Sequence, residues 1–422
     1  MSYSLENIPY NLVICRYSEI ALKKKNRWMF EQFLIGRISS LLGQIKKIKV
    51  TKIRGRVLIH YYDWSELSLE DRKTICDALK YVFGLDSFSF VIKTSPDMNE
   101  MSKFVMSTIG YVIEELRNQA GKRKELSFRV RVKRIDKSLC PKRDIEILLA
   151  EQILTKYEGL KVDLIDAELS LYCEIHEDVA FIFYNMEKGQ KGLPSGSNPP
   201  VLALLSGGFD SPVAAYMMMR RGVFVDFLSF HSYPFTPKTT EEKVIKIVKH
   251  LNKYQGARRL FLCNLLEVQK EVCAKTFETF RTIHYRRLMF KLAEKIAIKN
   301  GNKALVTGES VGQVASQTIT NLANIDNATE MLILRPVIGM DKESTMDIAR
   351  KLGTFELSAV QVPDSCTVFS PSNPSTGAPL ARILIGENRM NIEALLDIAW
   401  KSTVAVDVET GIETPITELF QE

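Results

Sequence analysis

Cysteine is scarce in this chain and carries no pairing pattern. Seven Cys are scattered over 422 residues, an odd number with no CxxC among them. That excludes a disulfide framework or a zinc ribbon and fits a reducing cytosol. No apolar run approaches the roughly 20 residues that a membrane helix needs, so no membrane association is expected. Met1 to Tyr10 lacks the charged start and apolar core of a signal peptide, so a cytoplasmic location is expected. The GxxxxGK[ST] and GxGxxG patterns are both missing, which excludes a Walker A loop and a dinucleotide fingerprint. With 45% hydrophobic and 25% charged residues, what remains is a soluble globular chain long enough for two or three domains.

The most informative stretch is Leu202 to Val213, LALLSGGFDSPV. A short apolar run predicts a buried parallel strand, and Ser206-Gly207-Gly208 predicts a tight turn after it. Asp210 and Ser211 then stand just before Pro212 and a helix-forming run, and Pro suits a helix's first turn. Glycines without Cβ let backbone N–H groups close on an anion, and the helix N-terminus adds partial positive charge. The stretch therefore reads as a phosphate cradle, against the plainer reading of an ordinary strand–helix turn.

Charge is unevenly spread. The net charge is +7, yet residues 1–60 hold twelve Lys/Arg against three Glu, so the rest is near −2. A second basic block, Lys122 to Arg143, holds ten Lys/Arg against Glu125 and Asp136. Two such blocks point to a polyanionic partner more than to a merely solvated surface.

Residues 10–90 predict a βαββαβ order, a ferredoxin-like unit, with Trp28, Phe30, Phe33, Leu34 and Ile38 on one side of the first helix. A second α+β unit follows to about residue 184. Its strand Leu126–Lys133 alternates Phe128, Val130 and Val132 with Arg129, Arg131 and Lys133, which predicts a half-buried strand with a cationic face. Gly189 to Pro200 is crowded with Gly, Ser and Pro and reads as a linker. From Val201 strands and helices alternate, predicting a doubly wound parallel sheet. Ligands of such sheets bind beyond the carboxyl ends of the strands. SGGFDS, Phe230-His231-Ser232, Thr307-Gly308-Glu309-Ser310 and Arg335-Pro336 all fall at such ends.

SGGFDS resembles the PP-loop of ATP pyrophosphatases. The strand SFRVRVKRIDK, its following helix and the late stretch EKGQKGLPSG resemble the THUMP domain of tRNA-modifying enzymes. Taken with FHSYPFT, YRRLM, VTGESVGQVASQT, RPVIGMDKE and PDSC, nearly the whole chain resembles the ThiI family of tRNA 4-thiouridine synthetases. The resemblance implies a ferredoxin-like domain (1–90), a THUMP domain (91–188) and a PP-loop domain (189–422). It implies that ATP, with Mg²⁺, is held by Leu204, Leu205, Ser206, Gly207, Gly208, Ser211, Ser229, Phe230, Arg286, Gly308 and Gln317. It gives catalytic importance to Asp210, Lys342 and Cys366, and no metal-ligand set.

The residues read alone are compatible with those roles. Gly308 would let backbone approach the nucleotide, and Gln317 could make a directed hydrogen bond. Arg286 beside Arg287 reads equally as a surface pair, and Lys342 after Asp341 as a solvated helix start. Cys366 lies in a polar loop, whereas Cys15, Cys173 and Cys263 lie in apolar runs that predict buried thiols. Cys76 and Cys273 fall in helical stretches and Cys140 in the basic loop. Either Cys263 or Cys273 is open to resolving a disulfide with Cys366.

By resemblance the reaction adenylates a tRNA uridine and transfers persulfide sulfur from Cys366, giving 4-thiouridine at the eighth nucleotide. The implied partners are tRNA and a cysteine desulfurase. The resemblance also allows a thiamine sulfur-carrier protein and a homodimer. Some family members carry a rhodanese domain; the sequence after Cys366 is short, so none is expected here. Others hold an iron–sulfur cluster on a CxxC before the Arg pair. Thr282 to Tyr285 stands there instead, so no cluster is expected. Two alternatives are a PP-loop enzyme acting on a small molecule and a non-catalytic tRNA-binding protein.

Overall fold

The computed structural model describes residues 6–119, 125–134, 141–362 and 369–421. The chain divides into two compact units, Met1–Pro194 and Ser195–Glu422.

The first unit opens with β1 (Leu12–Arg16), α1 (Arg27–Leu41), β2 (Ile48–Ile53), β3 (Arg56–Tyr61), α2 (Leu69–Leu79) and β4 (Ser87–Thr94), the expected βαββαβ order. β1 lies between β3 and β4, antiparallel to both. Only part of the α1 face packs inward: Phe30, Leu34 and Ile38 are buried, but Trp28 is 63% exposed. The expected apolar side is therefore narrower than its aromatics suggested. A helix one residue out of phase turns a side chain 100° away from the core.

The chain continues through α3 (Met98–Gln119), β5 (Leu126–Arg134), α4 (Lys142–Lys156), β6 (Leu160–Val162), β7 (Leu169–Ile175), β8 (Ala180–Phe183) and β9 (Glu187–Lys188). β8 pairs antiparallel with the end of β4, Ile92 opposite Ile182. The strands thus form one nine-stranded sheet, β2-β3-β1-β4-β8-β7-β5-β6, with β9 also on β4. In β5 the alternation holds: Phe128, Val130 and Val132 are buried while Arg131 and Lys133 are exposed.

The stretch expected to be a linker is largely strand. β10 runs Leu193–Leu204 through Pro194, Pro199 and Pro200. Proline's fixed φ suits extended backbone, and the register with the parallel neighbour covers only Leu202 and Ala203, past the prolines.

The second unit is built on α5 (Asp210–Met219), β11 (Arg221–His231), α6 (Lys238–Gln255), β12 (Leu260–Asn264), α7 (Leu266–Lys275), α8 (Arg281–Asn300), β13 (Leu305–Val306), α9 (Ile319–Asp326), β14 (Ile333–Leu334) and α10 (Lys342–Leu352). After these come α11 (Phe355–Ala359), α12 (Leu380–Glu387), α13 (Ile392–Lys401), β15 (Thr403–Val406), β16 (Glu413–Pro415) and α14 (Ile416–Leu419). The sheet order is β14-β13-β10-β11-β12-β15-β16. β14, β13 and β10 run parallel, as do β11 and β12. The last two strands add an antiparallel edge that the alternating pattern did not predict. β12 is buried at four of its five positions, as a strand covered on both faces must be. Between β13 and β14 the chain forms a 3₁₀ turn at Ala315–Gln317 followed by α9.

Candidate active site

β10, β13 and β14 end at one edge, and the glycine turn leaves from that edge. The Leu205 N–H donates to the Leu228 carbonyl at 2.8 Å, so Leu204 and Leu205 lie beside the strand end that carries Ser229 and Phe230. Leu205 and Ser229 are buried; Leu204 and Phe230 are half-buried.

The turn is closed by its own serines. The Ser206 N–H donates to Ser211 Oγ at 2.9 Å, and the Gly208 N–H to Ser206 Oγ at 3.3 Å. Asp210 and Ser211 are the first residues of α5, so the turn amides and the positive end of that helix converge. At Gly207 the approach is close: a Cβ there would stand 3.2 Å from the Lys243 side chain, which would have to yield by a few tenths of an ångström.

Gly308 has a reason within the fold itself. A Cβ there would overlap the backbone of Asp210 and Ser211, 2.7 Å from the Ser211 Cα. The glycine is needed because strand end and helix start touch, whatever ligand lies nearby.

Further bonds tie the remaining elements to this edge. Gln313 donates its side-chain N–H to Asp210 Oδ2 at 3.1 Å. Ser310 donates backbone N–H to Gln317 Oε1 at 3.4 Å and its hydroxyl to the Met340 carbonyl at 2.7 Å. Met340 leads directly to Asp341, whose carboxylate caps α10 by accepting from the Ser344 N–H at 2.7 Å. Lys342, the first residue of that helix, is exposed and forms no ion pair among the described residues.

Arg286 and Arg287 are not a surface pair. Arg287 is buried and grips Glu387 with two bonds, at 2.6 and 3.0 Å. Arg286 is half-buried and pairs with Glu309. Glu309 is buried and also accepts from Arg335 Nε at 2.6 Å and from the Thr307 hydroxyl at 2.9 Å. Burial alone would raise its pKa; the charges of Arg286 and Arg335 outweigh it and hold the carboxyl below its ordinary value.

Sequence reasoning gave no role to Glu309, Gln313, Lys243 or Ser358. Lys243 had a signal: it lies three residues after Thr240 and four before Ile247, on the buried stripe of α6. Its Nζ donates to the carbonyls of Ser358 and Val360 at 2.9 and 2.7 Å, and the Ser358 hydroxyl donates to the Gly208 carbonyl at 3.2 Å. α11 is thus fastened to the glycine turn.

Cys366 and Cys140 lie outside the described residues. Cys15, Cys76, Cys173 and Cys263 are buried; Cys273 is half-buried, 3.1 Å from the Tyr285 hydroxyl. Burial pushes the Cys263 thiol up to about 11. Among the described residues, no group of three or more His, Cys, Asp or Glu is placed to hold a metal. No helix among them is long and apolar enough to cross a membrane.

In the first unit, Arg129 and Arg131 donate to the carbonyls of Ile165 and Leu164, at 2.7 and 2.6 Å. The cationic strand thereby also braces the 160s loop.

Three family descriptions match in order: "ThiI ferredoxin-like domain" over 12–89, "THUMP domain" over 107–185 and "Thiamine biosynthesis protein (ThiI)" over 196–392. The chain is 39% identical over 402 residues to the "Probable tRNA sulfurtransferase" of Alkaliphilus oremlandii, covering 94% of this chain and 98% of that one. It is 36% identical to the protein of the same name in Brevibacillus brevis, covering 97% and 100%. Among solved structures it is similar to a 4-thiouridine synthetase crystallised with RNA and bound ATP. That match has 34% identity and a TM-score of 0.81, over 94% of this chain and 99% of the other.

Proposed function

The chain belongs to the ThiI family, and we propose that it is an ATP-dependent tRNA sulfurtransferase making 4-thiouridine at the eighth nucleotide of tRNA. The observation that carries this reading is the convergence on SGGFDS of the strand ends at 204–205, 229–230 and 308, with Gln313 fastened to Asp210. Turn amides at Gly207 and Gly208 and the start of α5 suit the phosphates of ATP. Leu204, Leu205, Ser229 and Phe230 offer a partly apolar shelf for the base, and Arg286, Gly308 and Gln317 border it.

Asp210 suits Mg²⁺. Its Oδ2 accepts from Gln313, while Oδ1 remains as one hard oxygen ligand. Magnesium bound to phosphates commonly takes one or two carboxylates and water. When bound, the ion would neutralise phosphate charge.

In the reaction we propose, the uracil carbonyl oxygen attacks the α-phosphate and pyrophosphate leaves. Lys342 stabilises the charge that develops there. The outer sulfur of a persulfide on Cys366 then attacks C4 and displaces AMP. A second thiol, for which Cys263 and Cys273 are the candidates, attacks the Cys366 sulfur, so that the S–S bond breaks, 4-thiouridine leaves and Cys366 ends in a disulfide. A cysteine desulfurase would load that persulfide. Service to thiamine synthesis through a sulfur-carrier protein, a homodimer and a cytoplasmic location belong to the same reading, as do domains at 1–90, 91–188 and 189–422. The first two would meet tRNA through phosphates and shape, and the target base would leave its stack.

Pyrophosphate release from ATP, measured with and without unmodified tRNA, tests the proposal. Release that requires tRNA supports it. Release without tRNA would favour a small-molecule substrate, and no release under either condition a non-catalytic RNA-binding protein.

A further inference from the structure

Four charged side chains form a line behind the candidate nucleotide site. Asp326 pairs with Arg335 through both of its oxygens. Arg335 Nε donates to Glu309 Oε2, which also accepts from Thr307. The other oxygen, Oε1, takes Arg286 Nη2. Glu309 is only 1% exposed and is fixed from two sides before Arg286 is considered. Arg286, by contrast, is half-buried, and Glu309 is the hydrogen-bond partner of its guanidinium among the described residues. A guanidinium held at one nitrogen keeps further N–H groups for a ligand's acceptors. A nucleotide supplies such acceptors in its phosphate, ribose and ring-nitrogen atoms.

We propose that Glu309 is a positioning residue for the adenylation reaction: anchored by Arg335 and Thr307, it holds one end of the Arg286 guanidinium and so fixes the side chain that meets ATP. The inference rests on the ATP site proposed above. A guanidinium on a flexible stem loses much rotamer freedom when it binds a ligand, and a carboxylate that fixes it beforehand lowers that cost. Glu309 directly follows Gly308, which packs against Asp210 and Ser211, so the anchor is built into the wall of the phosphate cradle.

A double-mutant cycle on the full chain tests this, with ATP affinity measured by calorimetry in the absence of tRNA. Glu309→Gln and Arg286→Met should each weaken ATP binding about tenfold, the worth of one charge-assisted hydrogen bond. The double variant should bind no more weakly than Arg286→Met alone, because Glu309 acts through Arg286. Losses that multiply would overturn the proposal. So would wild-type ATP affinity in Arg286→Met, which would leave the ATP site standing without this relay. Failure of the wild-type chain to bind ATP would overturn the site itself. tRNA affinity should stay unchanged in both single variants; a parallel loss would reduce Glu309 to a fold element. If Glu309→Gln does not fold, Glu309→Asp keeps the charge but withdraws it by one methylene. It should again lose ATP affinity alone, and unchanged ATP affinity would count against the proposal.

Discussion

In the proposed mechanism single residues hold roles that their neighbours cannot take over. Asp210 stands at the first position of α5 beside the turn amides, and only Gln313 among the described residues donates to its carboxylate. Asp210→Ala should lower pyrophosphate release by about a hundredfold or more, the usual scale for losing a group that stabilises developing charge. tRNA binding should stay near wild type, because the change removes one carboxylate far in sequence from the basic blocks. Turnover at the wild-type rate would remove Asp210 from the mechanism. Much of this site was legible in the sequence, since SGGFDS carries its own geometry: apolar strand, glycine turn, helix start. The supporting residues were not. Glu309 lay in a quoted motif, but its partners Arg286 and Arg335 are separated from it by 23 and 26 residues. Nothing local predicts that two arginines meet on one carboxylate. Gly308 shows the complementary limit: the residue was singled out, but its backbone contact with Asp210 and Ser211 is one that only the fold reveals.

Between elements, buried ion pairs act as pins. Arg287 on α8 and Glu387 at the end of α12 are both buried. Glu387→Ala should destabilise the second unit by about 3–5 kcal/mol, because it strands a buried guanidinium. Replacing both partners with Met and Leu should cost less, and denaturant unfolding of the two variants checks the order. In the first unit, Glu174 on β7 gathers Arg56 at 3.0 Å, Arg16 at 3.7 Å and His176 at 3.2 Å. Burial would raise its pKa, but the His176 hydrogen bond and the Arg56 and Arg16 charges bring it down to about 2. With the folded value below the ordinary 4.5, this carboxylate stabilises the fold above pH 4.5 and loses that contribution as pH falls toward 2. The melting-temperature gap between wild type and Glu174→Gln should therefore be widest near neutrality and narrow by pH 3. A gap independent of pH would contradict the assignment. Element types and order were largely legible from periodicity. The misses had physical causes: prolines, depleted in strand interiors, disguised β10, and an antiparallel edge after a run of parallel strands has no local signature.

At the scale of the whole molecule, the chain combines a basic N-terminal portion with an acidic-leaning remainder that carries the phosphate cradle. If tRNA is met through its phosphates, its affinity should fall steeply and linearly on a log–log scale as salt rises from about 50 to 200 mM. A flat response would argue against the basic blocks as the RNA interface. The central claim is that ATP activation and sulfur transfer to tRNA occur on this one chain, with Cys366 carrying the sulfur. The most direct test supplies purified protein with ATP, Mg²⁺, unmodified tRNA, cysteine and a cysteine desulfurase, then reads thionucleosides by mass spectrometry beside AMP release. Wild type should yield 4-thiouridine at the eighth nucleotide with AMP. Cys366→Ser should bind ATP and tRNA and release pyrophosphate yet yield no thionucleoside, since a hydroxyl cannot carry a persulfide sulfur. Thiolated tRNA from Cys366→Ser, or none from wild type, would contradict the account.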